Sequence, residues 1–137
     1  MSMASALEAA ARVVLWLLAA YHVVVGAVAL VSPARAASVM RSLYGAALPE
    51  SDAFRYATSM IGALALAIGL VAAVAALAPA QHRAIVAALL VLQLGRIFCR
   101  LRDWRLLSAS LGVTMQRNGA AIAILGAECA VLGLWLR

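Results

Sequence analysis

A short run of polar side chains interrupts an otherwise apolar stretch near the end of this sequence. Gln93, Arg96, Arg100 and Asp103 are spaced by three, four and three residues, so all four lie on one face of a helix. Charged groups are costly among apolar residues, and they usually face a protein interior and serve a function there. The stripe predicts a polar surface that points into a helix bundle or a vestibule. The alternative, an extended Arg100 on a helix that ends early, explains Arg96 and Gln93 less well.

Glu128 is the one acidic residue of the last apolar segment. It could carry a proton, bind a cation or hydrogen-bond a ligand, and it could equally form a structural ion pair or stay protonated beside a neighbour. If its helix runs antiparallel to the helix of Arg96, the rise of about 1.5 Å per residue brings the two within reach of an arginine side chain. We therefore predict an Arg96–Glu128 pair, and we expect Glu128→Gln to destabilise or inactivate the protein.

Three further residues extend this candidate site. Tyr21 and His22 lie near the middle of the first apolar segment, about 100° apart around a helix, so one of them should face the polar centre. A lone membrane histidine is more often a hydrogen-bonded packing residue than a ligand. Arg55 could widen the vestibule, although an interface anchor formed with Tyr56 is the favoured interpretation. The candidate ligand-binding residues are Glu128, Arg96, Gln93, Arg100, Tyr21, His22 and Arg55.

No pattern in the sequence predicts a catalytic residue, a metal or a cofactor. His22 and His82 fall on opposite sides of the predicted bundle, which does not make a haem site, and Cys99 and Cys129 lack metal-ligand or redox spacing. Phosphate loops, nucleophile elbows and dinucleotide fingerprints do not occur. The net charge of +6 comes from arginines at the ends of apolar segments, which predicts membrane anchoring and argues against nucleic-acid binding.

Lipid is the solvent that this composition fits. Hydrophobic residues make up 67% of the 137 residues and the mean hydropathy is +1.05, whereas soluble domains are about 45–50% apolar. Four apolar segments each approach the roughly 20 residues that cross a bilayer. The sequence therefore predicts an all-α, integral membrane four-helix bundle in one domain over residues 1–137. Its helices are predicted at about 13–31, 53–78, 84–101 and 119–136, the first being too long for the apolar region of a signal peptide.

Two of the connections between these helices contain apolar side chains. Residues 34–43 could form a short interfacial helix, and a plain loop fits nearly as well. The apolar side chains of residues 102–118 indicate a segment that lies on the membrane surface or folds back over the bundle.

The arginines predict the orientation of the bundle. Seven arginines fall on the side that carries these two connections, and three fall on the side of the two termini. The side with more arginines is usually cytoplasmic, so we expect outward-facing termini.

Small residues recur every three or four positions in two of the predicted helices. Such stripes let helices approach closely in lipid, either within one bundle, which we favour, or across a homodimer. The two stripes are Gly62, Ala65, Gly69, Ala72 and Ala76, and Gly119, Ala123, Gly126, Ala130 and Gly133.

The layout resembles the small bacterial four-helix membrane proteins called BphX-like, together with a sister family known only as a domain of unknown function; DoxX-like proteins are a more distant likeness. The shared features are Phe54-Arg55-Tyr56 followed by Gly62 and Gly69, then Gly95-Arg96-Ile97, and Glu128 in the last helix. The resemblance implies architecture more than activity. It places the chain in the bacterial inner membrane, and BphX-like proteins are named for an association with aromatic-degradation genes.

Three functions are compatible with these residues. The first is binding or transport of a small amphiphilic or aromatic molecule, or of a proton, at the polar centre. The second is a structural subunit of a larger membrane complex. It predicts an ion pair with all its hydrogen bonds satisfied and no cavity beside it, and an exposed face of small residues. The third is a membrane enzyme or redox accessory in which Glu128 acts as acid or base on a lipid-soluble substrate. We rank them in that order, and none calls for a bound cofactor.

Overall fold

The computed structural model describes residues 3–49 and 51–137, which form six helices and no strand. Four of these helices are long and apolar enough to cross a membrane. The predicted all-α membrane bundle is therefore confirmed, and the chain is a multi-pass membrane protein. The helices are α1 (Met3–Val31), α2 (Pro33–Tyr44), α3 (Asp52–Leu77), α4 (Arg83–Arg102), α5 (Trp104–Leu111) and α6 (Met115–Leu136).

Helix α1 begins ten residues before the predicted start. The added turns are rich in alanine, the strongest helix former, and they carry a Glu8–Arg12 ion pair with an N–O distance of 3.3 Å one turn apart. The prediction followed the apolar run and missed this helical extension, because its residues are not all hydrophobic.

The two short helices cover one end of the bundle. Helix α2 has Pro33 in its first turn and ends at Gly45, whose φ of 69° is a left-handed conformation that suits glycine. The helical interpretation of residues 34–43 is thus confirmed. Helix α5 occupies part of the predicted long loop, and all of its residues are at least partly exposed. The Ala47 amide donates a hydrogen bond to the Leu111 carbonyl at 2.8 Å, which joins the two connections.

The closest helix pair is α1 with α3, and it depends on glycine. A Cβ atom on Gly62 would lie 2.6 Å from the backbone nitrogen of Leu30, and one on Gly26 would lie 2.8 Å from the Gly62 carbonyl oxygen. Any side chain would separate these backbones. The small-residue stripe of α3 therefore packs within the bundle, as predicted.

Helices α4 and α6 form a second, antiparallel pair that leaves the other stripe outside. A Cβ atom on Gly119 or Gly126 would meet no atom within 4 Å, and Ala123 and Ala130 are exposed. The two stripes do not meet each other. Gly119 and Gly126 point away from the bundle, towards lipid or a further helix, whereas a Cβ atom on Gly133 would lie 4.0 Å from Leu90 of α4.

Among the described residues, the two helix pairs join through an apolar core at one end of the bundle. The core consists of Ala11, Leu15, Leu18 and Ala19 of α1, Ala72, Ala75 and Ala76 of α3, Val86 and Leu89 of α4, and Leu132 of α6. These residues all lie towards the end that holds the chain termini, which we call the closed end. The opposite end, covered by α2 and α5, is the open end, and the polar residues lie there.

Candidate functional site

The open end contains a cavity of about 280 Å³ between α1 and the α4–α6 pair, which we call the arginine cavity. Helix α1 contributes Leu18 and Tyr21, and the end of α2 contributes Leu43 and Tyr44. The remaining lining residues come from α4 and α6. They are Arg96, Arg100, Arg117, Ala120, Ala121, Ile124, Leu125 and Glu128.

A buried amide links the two charged residues that the sequence predicts as a pair. Gln93, 1% exposed, donates from its Nε2 to Glu128 Oε2, and its Oε1 accepts a hydrogen bond of 2.9 Å from Arg96 Nη1. Arg96 and Glu128 do not form a direct ion pair within the part of the chain that the structure describes. The predicted pair is thus corrected to an Arg96–Gln93–Glu128 relay. The offset of the two side chains along the bundle is spanned by the amide, which satisfies both ends.

Two tyrosines close the side of the arginine cavity that faces α2. Their hydroxyl groups hydrogen-bond each other at 2.5 Å. The guanidinium carbon of Arg96 lies 5.8 Å from the centre of the Tyr21 ring, and that of Arg100 lies 5.4 Å from the Tyr44 ring. Burial, together with the hydrogen bond that Tyr44 shares with Tyr21, raises the pKa of Tyr44 to about 12. The Tyr44 phenol is therefore neutral at ordinary pH and acts as a hydrogen-bonding group.

The cavity holds more positive than negative charge. Arg100 Nη1 donates to Asn118 Oδ1 at 2.9 Å, and Arg117 Nη1 donates to the Arg41 carbonyl at 3.4 Å. Among the described residues, neither guanidinium has a carboxylate within 4.0 Å. With Arg96, three guanidinium groups face one carboxylate, that of Glu128.

Most of the predicted site residues come together in this cavity. Tyr21, Arg96, Arg100 and Glu128 line it, and Gln93 lies beneath it. His22 is buried on the neighbouring face of α1, where its Nδ1 is 2.8 Å from the Leu18 carbonyl oxygen.

Two polar residues named in the sequence analysis lie apart from the cavity. Arg55 is exposed near α2, and its Nη1 lies 3.5 Å from Asp52 Oδ1. Asp103 does not line the cavity either. It accepts hydrogen bonds from Arg102 at 2.7 and 2.9 Å, and the pair holds the pKa of Asp103 below its usual range.

Sequence reasoning missed Tyr44, Arg117 and Asn118. In the sequence, Tyr44-Gly45 indicates only a break in the chain, and Arg117 indicates only the orientation of the bundle. Gly45 is a signal that places Tyr44 in the last turn of a short helix, since a glycine after an amphipathic segment often ends a helix. It does not indicate that this turn lies over the cavity.

The donor set does not resemble a metal centre. Within residues 3–49 and 51–137, no three His, Cys, Asp or Glu side chains converge, and guanidinium groups do not bind metals. Comparison of the chain with protein-family models, with curated proteins and with solved structures gave no match. The resemblance to BphX-like proteins therefore stays a prediction.

Proposed function

We propose that the protein binds, or transports, a small amphiphilic molecule in the arginine cavity. The observation that carries the proposal is the convergence of three guanidinium groups, two phenols and one carboxyl on a cavity between membrane-spanning helices. Polar groups are placed in such a position at a cost, and they usually serve ligands or ions. A purely structural role for Arg96 and Glu128 would not require a cavity beside them. It would also not explain why Arg100 and Arg117 line that cavity.

A steric variant tests this proposal without changing any charge. Ala121 lines the cavity, whereas Ala123, two residues further along α6, is exposed on the outside of the bundle. Ala121→Trp should fill the cavity, and Ala123→Trp is the matched control. We expect native mass spectrometry in mild detergent to show a bound small molecule on the wild type and on the control, and none on Ala121→Trp. A wild type that carries nothing, or an Ala121→Trp variant that keeps the molecule, contradicts the proposal.

A structural role in a larger complex is the second candidate, and the outward glycines of α6 favour it. Small residues at Gly119 and Gly126 with open space beside them suit the close approach of another helix. Gly126→Leu should then lower the oligomeric mass measured in detergent, with either a second copy or another protein as the lost partner. An unchanged mass argues against this role. An enzyme role has no comparable support.

We further propose that the chain lies in the bacterial inner membrane with the open end in the cytoplasm. The seven arginines towards that end, against three towards the closed end, support this orientation. A reporter enzyme that is active only outside the cytoplasm, fused after Arg137, should then be active. An inactive but well-expressed fusion indicates the reverse orientation.

A further inference from the structure

A second cavity of about 400 Å³ lies beside the arginine cavity, and we call it the apolar cavity. Its walls come from α1, α2, α3 and α4, and they include Val25, Val28, Ile68 and Leu92. Apart from Arg96, its few polar lining residues are already engaged in hydrogen bonds: Thr58, for example, donates to the Phe54 carbonyl at 2.8 Å. Hydrocarbon is therefore the chemistry that this cavity accepts.

The two cavities share a wall. Tyr21 and Arg96 line both of them, with the Arg96 guanidinium packed over the Tyr21 ring at 5.8 Å. One molecule extending past these two side chains would have one end among guanidinium groups and the other among aliphatic side chains. The two volumes together fall in the range of roughly 300–1,000 Å³ that is usual for small-molecule sites.

The guanidinium groups have donors to spare. A guanidinium carries five N–H groups, and Arg96 and Arg100 each use one nitrogen in a side-chain hydrogen bond among the described residues. Within the described part of the chain, every buried side-chain nitrogen or oxygen atom has a hydrogen-bond partner. The other nitrogens of these two guanidinium groups make no such hydrogen bond there, so they are not buried. An oxyanion that enters the cavity would therefore find several charged donors ready to bind it.

The geometry points to a single-chain amphiphile with an oxyanion head as the ligand, a long-chain carboxylate or its phosphate counterpart. The head binds to Arg100 and Arg117, with Arg96 at the shared wall, and the hydrocarbon chain occupies the apolar cavity. This inference rests on the proposed binding function and adds the chemical class of the ligand. Carboxylate and phosphate heads share the chemistry that the arginines recognise, and the experiment distinguishes them.

The test compares ligands that differ in one feature at a time. The purified protein in a neutral detergent is titrated with dodecanoate, dodecyl phosphate, dodecanol, dodecyltrimethylammonium and butanoate, and the rise in Tm and the bound mass are measured. We expect dodecanoate or dodecyl phosphate, whichever fits the head site better, to bind. Dodecanol and butanoate should each bind at least roughly tenfold more weakly, because each lacks one half of the recognition. The cationic amphiphile should not compete.

Two pairs of variants locate the two halves of the ligand. Arg117→Gln should weaken binding of the anionic amphiphile roughly 10- to 100-fold, as expected for a lost charged hydrogen bond, whereas Arg105→Gln, on exposed α5, should not. Val25→Phe should narrow the apolar cavity and weaken binding, whereas Val13→Phe, at an exposed position of the same helix, should not. A variant that does not fold is recognised by its elution and Tm, and the ligand series on the wild type then decides alone.

The possible outcomes separate this inference from the proposed function. If dodecanol or the cation binds as tightly as the anions and Ala121→Trp abolishes that binding, the cavity binds amphiphiles but the oxyanion assignment is wrong. If butanoate binds as tightly as dodecanoate, the assignment of the chain to the apolar cavity is wrong. If no amphiphile binds to the wild type, both the inference and the proposed function fail.

Discussion

The Arg96–Gln93–Glu128 relay makes a prediction that a double-mutant cycle measures directly. Gln93→Leu removes the amide that connects the two charged groups and keeps a side chain of similar size. Glu128→Leu removes the acceptor at the other end. The double variant removes both polar partners of the Gln93–Glu128 hydrogen bond, so neither is left unpaired.

The magnitude follows from the burial of the bond and from its surroundings. Gln93 is almost completely buried, and the loss of one partner leaves the other to bear its desolvation, which costs about 1–3 kcal/mol. Coupling energies between polar side chains in membrane bundles average roughly 0.6 kcal/mol and reach about 1.7. We expect each single variant to lower the free energy of unfolding by about 1–3 kcal/mol. Because Gln93 hydrogen-bonds at both ends of its amide, we expect a coupling energy near the upper end of the values for membrane bundles, about 1–1.7 kcal/mol.

Reversible unfolding in mixed detergent micelles, followed by circular dichroism, gives the free energies for the four proteins. The double variant should be more stable than the sum of the single effects predicts. Independent sites add to within about 0.3–0.5 kcal/mol, so a coupling inside that margin would falsify the relay. Glu128→Gln should differ from Glu128→Leu, because a glutamine oxygen can still accept the hydrogen bond from Gln93. This revises the expectation, drawn from a direct ion pair, that Glu128→Gln by itself destabilises the protein.

Three further predictions concern other parts of the molecule. Gly62→Ala should lower the free energy of unfolding by about 1–3 kcal/mol, because its Cβ would lie 2.6 Å from a backbone atom where ordinary contacts begin near 3.4 Å; Gly126→Ala, with open space beside it, should be neutral or gain up to about 1 kcal/mol in the same unfolding assay. The raised pKa of Tyr44 stabilises the fold below the unfolded value near pH 10, and that stability is lost as the pH rises through about 12; Tyr44→Phe should remove this part of the alkaline slope in Tm, and an unchanged slope contradicts the assignment. Arg55→Gln should leave the binding of any ligand to the arginine cavity unaltered in native mass spectrometry, because Arg55 lies outside that cavity beside Asp52, and a lost ligand shows that the site extends to α3.

The sequence predicted the features that depend on periodicity. The four spans follow from apolar runs of membrane length, and the phase of Gln93, Arg96 and Arg100 on one helix face follows from their spacing, so most of one wall of the cavity could be anticipated. The contact between Glu128 and this polar face of α4 could also be predicted, because a carboxyl group in an apolar helix requires a polar neighbour.

The sequence could not predict features that depend on how the helices are arranged. Tyr44 reaches the cavity only because α2 folds back over the open end, and a local pattern does not specify such a fold. The two glycine stripes look alike in the sequence, yet Gly62 of α3 packs against α1 whereas Gly119 and Gly126 of α6 face outward. The spacing predicts the helix face of Gln93, but its role as a bridge depends on how closely α4 and α6 pack between Arg96 and Glu128, which the sequence does not determine.

The most direct test of the central claim is the reactivity of a cysteine inside the arginine cavity. In a background of Cys99→Ser and Cys129→Ser, Ala121→Cys should react with a small charged thiol reagent in water, and faster with the anionic sulfonate reagent than with the cationic ammonium one. Dodecanoate should slow this labelling. Ala123→Cys, exposed on the lipid-facing outside of α6, should be unreactive to both reagents. An unreactive Ala121→Cys, or one that reacts faster with the cation, contradicts an open, arginine-lined cavity between the helix pairs.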